Sequence, residues 1–111
     1  MTRPETLFSA LGDPTRMAVI QELCQGPQSV GVLAKAHRMA LPSFMQHLAL
    51  LERSGWIETQ KVGRVRTCSV NPGALQATGQ WLLDQRTVWE SRLTRLDTLL
   101  YQLKKEEEKK K

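Results

Sequence analysis

Ser29 to Val70 reads SVGVLAKAHRMALPSFMQHLALLERSGWIETQKVGRVRTCSV. Ser29 can cap a helix, and Val30, Leu33, Ala34 and His37 then fall on one face at helical spacing. That predicts a helix from about Val30 to Arg38. Met39-Ala40 makes a turn. Pro42 suits the first turn of a second helix, from about Leu41 to Arg53, whose apolar stripe is Phe44, Leu48 and Leu51. Ser54-Gly55 closes it, with Gly55 as a left-handed cap. Two β-branched-rich runs follow, Glu58–Val62 and Val65–Val70, with Gly63-Arg64 between them as a hairpin signal. A lone two-stranded hairpin is marginal in water, so this one must lean on the helices.

Two helices joined by about three residues, followed by a hairpin, are the pattern of a winged helix-turn-helix. Residues 29–70 are the expected reading unit. The second helix would enter the major groove of double-stranded DNA, and the Gly63-Arg64 tip would reach the backbone or minor groove. The charge is placed to match. The chain carries +5 in all, and residues 35–66 carry six bases against Glu52 and Glu58. A basic patch over a helix-turn-helix is the electrostatic footprint of a nucleic-acid binder.

The reading-helix positions off the apolar stripe include Ser43, Met45, Gln46, His47 and Ala49. Gln46 can bond an adenine edge, Ser43 can donate to a base or phosphate, and Met45 can touch a thymine methyl. His47 can reach a phosphate. The helix is poor in Arg and Lys, so affinity is expected to rest on phosphate contacts from Lys35, Arg38, Arg53, Lys61, Arg64 and Arg66.

Upstream, Glu5 to Leu11 has a short helical pattern with Leu7, Phe8 and Leu11 on one face. Asp13-Pro14 signals a second helix start, and Met17, Ile20 and Leu23/Cys24 are expected to face the core before Gly26-Pro27 stops it. Downstream, Asn71-Pro72 starts a last helix, with a bend or separate first turn open at Gly79. It is expected to run to about Lys105. Leu82 leads its apolar set, and Trp89, Leu93, Leu96, Leu100 and Leu103 repeat at 4, 3, 4, 3, a seam that asks for a partner helix. The chain is therefore expected to be a homodimer held through this last helix. Residues 1–105 make one domain, with 72–105 as the dimerisation helix. Residues 106–111 are a charged, frayed tail.

The whole chain to about Lys104 resembles the ArsR/SmtB family of dimeric winged-helix repressors. The resemblance is carried by Leu7-Phe8-Ser9-Ala10-Leu11-Gly12-Asp13-Pro14-Thr15-Arg16, by Leu41–Leu48 with Leu51–Ile57, and by Gly63-Arg64-Val65-Arg66. It looks like the branch with tryptophans in the last helix, here Trp81 and Trp89. The resemblance implies a mostly α fold with a small β-hairpin, in the order α-α-α-α-β-β-α. It also implies dimerisation through the first helix, with Leu7 and Phe8, and the last helix, binding to an inverted-repeat operator, and autorepression. Met45-Gln46 stand where many members have Ser-Lys or Ser-Arg, so an operator sequence does not transfer. The founding members sense metals through Cys on the helix before the reading helix or through His and Asp on the last helix. Val30–Arg38 has no Cys and Pro72–Lys105 has no His, so neither a metal site nor a cofactor is expected.

Some relatives join two cysteines in response to oxidants. Cys24 and Cys68 thus read either as small core residues or as a thiol switch in a redox-responsive repressor. The residues name no small-molecule effector. A winged helix used only for protein contacts is the other alternative, and the basic reading face argues against it. An enzyme is not expected, because no phosphate loop, ligand cluster or activated nucleophile is present in the sequence. The N-terminus lacks an apolar signal core, and no window reaches the roughly 18 apolar residues of a membrane span. A cytoplasmic protein without a membrane partner is expected.

Overall fold

The computed structural model describes residues 3–110. Met1, Thr2 and Lys111, which belong to the expected domain and tail, lie outside the described residues. The chain divides into two compact units, Met1–Thr78 and Gly79–Lys111.

The first unit holds α1 (Pro4–Leu11), α2 (Pro14–Leu23), β1 (Gln28–Ser29), α3 (Val30–Ala36), α4 (Leu41–Ser54), β2 (Ile57–Val62), β3 (Val65–Val70) and the start of α5 (Pro72–Lys109). Each helix starts where the local chemistry favours it. Asp13 caps α2 by accepting the Arg16 backbone N–H at 3.0 Å, and Ser29 Oγ accepts Val32 N–H at 3.2 Å to cap α3. Asn71 Oδ1 accepts Gly73 N–H at 3.0 Å, while its Nδ2 donates to the Gly55 carbonyl at 3.1 Å. α4 ends in a Schellman motif. Gly55 sits at φ 95°, Trp56 N–H bonds to Leu51 O at 2.9 Å, and Gly55 N–H bonds to Glu52 O at 3.2 Å.

The core gathers Leu7, Ala10, Val19, Ile20, Leu23, Leu33, Phe44, Leu48, Leu51, Trp56, Ile57, Cys68 and Ala74. The predicted α4 stripe of Phe44, Leu48 and Leu51 is wholly inside. Trp56 anchors the assembly, being 1% exposed. Its indole N–H donates to the Leu7 carbonyl at 2.8 Å, so the start of the wing is fastened to α1.

Several expectations need correcting. The sheet has three strands, in the order β1-β3-β2, because Gln28 and Ser29 pair antiparallel with Cys68 and Thr67. A two-residue strand leaves no periodicity to read, and its second residue, Ser29, had already been read as a cap. α3 stops at Ala36 because His37 turns to an extended backbone (φ −117°, ψ 128°). On α2 the buried positions are Val19, Ile20 and Leu23, while Met17 and Cys24 are exposed. Leu7 has no exposed surface, so it belongs to its own subunit's core and leaves the dimerisation set. Phe8 beside it is partly buried.

The second unit is the remainder of α5. The helix is unbroken through Gly79 and continues to Lys109, past the Lys105 limit expected from the apolar pattern. The run KKEEEKKK explains the extension: Glu106 stands four residues before Lys110, the favourable order for a charge pair on a helix. Every residue from 79 to 110 is exposed. Among the described residues no helix is long and apolar enough to cross a membrane.

Candidate nucleic-acid interface

α3 and α4 meet through a short turn, 37–40, and present the reading helix. With Phe44, Leu48 and Leu51 buried, helical periodicity turns Ser43, Gln46 and Ala49 outward, and all three are exposed. Met45 is only half-exposed. It packs against the core and lines a small cavity of about 60 Å³ with Val30, Leu48, Ala49, Glu52, Thr59 and Arg66. Lys35 in the last turn of α3 and Arg38 in the following turn are exposed, as is Arg53 in the last turn of α4.

The wing is the β2–β3 hairpin, paired from Ile57↔Val70 to Val62↔Val65. Gly63 takes φ 62° at the first turn position, and among the described residues no non-glycine residue has positive φ, so Arg64 has the negative φ of a type II′ turn's second position. Arg64 follows at the tip, exposed between the exposed Val62 and Val65. Lys61 and Arg66 lie directly opposite each other across the hairpin, two like charges in register. The conflict is relieved from the reading helix. Arg66 Nη2 donates to Glu52 Oε2 at 3.3 Å and to Thr59 Oγ1 at 3.2 Å, and Thr59 Oγ1 donates to Glu52 Oε1 at 3.0 Å. Arg66 is therefore a tie between wing and helix as well as a surface cation, and Lys61 is the cation left on that rung.

His47, the expected phosphate contact, is also held within its own subunit. Its side chain is 23% exposed, and its Nδ1 lies 3.2 Å from Arg16 Nη1 and 3.7 Å from Asp13 Oδ2. Arg16 Nε donates in turn to the Ala10 carbonyl at 2.6 Å. Asp13 is held below the usual carboxylate range, chiefly by the Arg16 backbone N–H, against some burial and with help from His47 when its ring is protonated and from the charge of Arg16. The sequence showed Asp13 as a cap. It gave no sign of Arg16 or Glu52, whose partners lie 31 and 14 residues away.

His37 stacks on Phe44, with ring centroids 5.3 Å apart at 23°. Its Nε2 comes within 3.4 Å of Glu22 Oε1, inside ion-pair distance but outside hydrogen-bond geometry. Cys68 is buried in β3, and burial pushes its thiol up against the weaker opposing pull of Arg66. A raised thiol is a poor thiolate, and Cys24, the other half of the proposed switch, is exposed at the end of α2. Among the described residues no three His, Cys, Asp or Glu side chains converge as metal ligands.

Comparison with known proteins bears on this interface. A helix-turn-helix domain family matches residues 11–60. The chain is 32% identical over 74 residues to the HTH-type transcriptional regulator Rv2034 of Mycobacterium tuberculosis, covering 67% of this chain and 69% of that protein. It is 30% identical over 78 residues to the transcriptional repressor SdpR of Bacillus subtilis, covering 70% and 87%. Among solved structures, an ArsR family transcriptional regulator superposes with a TM-score of 0.73 at 52% identity, over 78% of this chain and 90% of that one. An ArsR-like transcriptional regulator from Rhodococcus sp. RHA1 gives 0.75 at 28% identity, over 86% and 91%.

Proposed function

The chain belongs to the ArsR family of winged helix-turn-helix, DNA-binding transcriptional regulators, and from that premise we propose that it is a homodimeric repressor acting in the cytoplasm on an inverted-repeat operator. The observation that carries this reading is the split character of α4. Phe44, Leu48 and Leu51 hold one face in the core, while Ser43 and Gln46 leave the other face free for base edges. Lys35, Arg38, Arg53, Lys61 and Arg64 surround that face as phosphate contacts, with Arg66 contributing less because Glu52 holds it.

Dimerisation through α5 supports the spacing. Leu82, Trp89, Leu93, Leu96, Leu100 and Leu103 are all at least 41% exposed in the single chain. A continuous apolar seam of this kind is what a second helix covers. Two reading helices related by a two-fold axis then sit about 34 Å apart, one turn of DNA.

The experiment is a gel shift on the duplex upstream of the chain's own gene, run across salt concentrations. Wild type is expected to bind with an affinity that falls steeply with salt. Gln46→Ala is expected to change which base substitutions are tolerated, with little change in salt slope. No shift at any salt would reject the DNA-binding repressor; an unchanged preference would remove Gln46 from base reading.

A further inference from the structure

We propose that Arg16 is a positioning residue for DNA binding, tying the reading helix to the end of α1 and fixing which nitrogen of His47 carries its proton. The inference rests on the DNA-binding reading and deepens it. Arg16 occupies the first turn of α2, yet its side chain reaches two other elements. Nε donates to the carbonyl of Ala10 near the C-terminus of α1, where helix carbonyls lack intrahelical partners. Nη1 stands at hydrogen-bond distance from Nδ1 of His47 on α4.

A guanidinium has donors only. The bond to His47 therefore requires Nδ1 as the acceptor, which leaves the imidazole neutral with its proton on Nε2. Asp13 Oδ2, the other charged group facing that nitrogen, accepts the Arg16 backbone N–H and lies 3.7 Å from Nδ1, farther than Arg16 Nη1 and beyond hydrogen-bond distance. An imidazole so oriented presents one defined donor, Nε2–H, suited to a phosphate oxygen. A histidine held by one nitrogen so that the other works in a set direction is a general device. His47 is thus both a latch and the proposed phosphate contact. Because α1 is one of the helices proposed to approach the partner subunit, the same guanidinium sets the reading helix relative to the two-fold axis. Lysine cannot replace it: an ammonium is a single compact donor centre without the planar fork that spans Ala10 and His47 together.

The test uses the full chain with Arg16→Met, Arg16→Lys, His47→Gln and the double change Arg16→Met/His47→Gln. At about pH 8, where imidazoles are neutral, nitrogen NMR of wild type is expected to show His47 Nδ1 unprotonated and Nε2 protonated. Both Arg16 variants are expected to give a mixture of tautomers. On the duplex upstream of the chain's own gene, Arg16→Met, Arg16→Lys and His47→Gln should each weaken binding about tenfold, the low end of what losing a histidine's orienting partner costs at metal sites. The double change should be no worse than the worse single, and the salt slope of Arg16→Met should match wild type. A slope lowered by about 0.9 in Arg16→Met and restored by lysine would make Arg16 a phosphate contact itself and overturn the proposal. So would an unmoved tautomer in a chain that binds DNA. If wild type fails to bind the duplex at any salt, the DNA-binding reading falls and this role with it, while the tautomer still reports the latch independently.

Discussion

The two tryptophans Trp56 and Trp89 summarise two regions built on opposite terms. Trp56 is 1% exposed, hydrogen-bonded and surrounded by the core of the first unit, whereas Trp89 is 60% exposed on a stretch of α5 where every residue from 79 to 110 meets solvent. The first unit closes its own core: Asp13, Ser29 and Gly55 cap helix ends, Leu7, Val19, Leu33, Phe44, Leu51 and Trp56 are fully inside, and its reading surface is tied in place by Arg16 and Glu52. The second carries an apolar seam that its own unit does not cover. A protein can leave that much leucine exposed only if something else covers it. The difference therefore assigns jobs. On the proposed reading, the first unit makes the contact with one half-site, and the second turns one contact into two.

The sharpest way to break that division is to place charge on the seam. Leu93→Glu with Leu96→Glu is expected to convert the protein from dimer to monomer in sedimentation. It should weaken binding to a two-half-site duplex by about 10²- to 10⁴-fold, the range that loss of a linked second contact produces. The urea midpoint of the first unit should stay nearly unchanged, because its buried residues all precede Gly79. A dimer that survives both changes would move the interface away from α5.

The complementary change sits at Trp56. Trp56→Ala is expected to destabilise the first unit by about 3–5 kcal/mol in urea unfolding, as large-to-small changes in cores do. Trp56→Phe keeps most of the volume but removes the indole bond to the Leu7 carbonyl, at a cost of about 0.5–1.5 kcal/mol. Trp89→Ala should cost little in a monomeric background and act on association instead. Equal losses at the two positions would erase the distinction between the regions.

What the residues disclosed in advance follows from the range of the interaction that decides each feature. Local devices were legible. Asp13, Ser29, Asn71, Gly55 and Gly63 act within a turn of their own position, and the α4 stripe repeats at helical period, so the helix starts, the α4 cap and the β2–β3 hairpin followed from them, though the two-residue β1 did not. Burial that depends on distant partners was not legible. Leu7 was placed at the interface by the resemblance to dimers that use their first helix, but Trp56, 49 positions away, bonds to its carbonyl and the core closes over it. Cys24 and Met17 satisfied the apolar spacing of α2 as well as Val19 did, and only the packed structure decides among them. Arg66 and His47 carried the right chemistry for DNA. Glu52 and Arg16, which claim them first, come from other elements.

The smallest effect separates two arginines on one hairpin and tests whether ties within the first unit matter to DNA. Arg64 stands at the tip, where no charged partner is recorded for it among the described residues, whereas Arg66 is shared with Glu52 and Thr59. The Arg66–Glu52 pair is roughly half exposed, with side chains at 46% and 42%, so solvent screening limits it to about 0–1 kcal/mol of stability. A cation already compensated by a carboxylate releases fewer counterions when it approaches a phosphate. Arg64→Ala is therefore expected to lower the salt slope of binding by about 0.9, one phosphate contact, and Arg66→Ala by clearly less. Glu52→Gln should free Arg66, so that Arg66→Ala measured in that background costs a full contact. If Arg66→Ala already removes a full contact in the wild-type background, the tie to Glu52 does not persist on DNA. The wing is then held against α4 by the Thr59–Glu52 bond and by the buried strand positions Ile57 and Cys68.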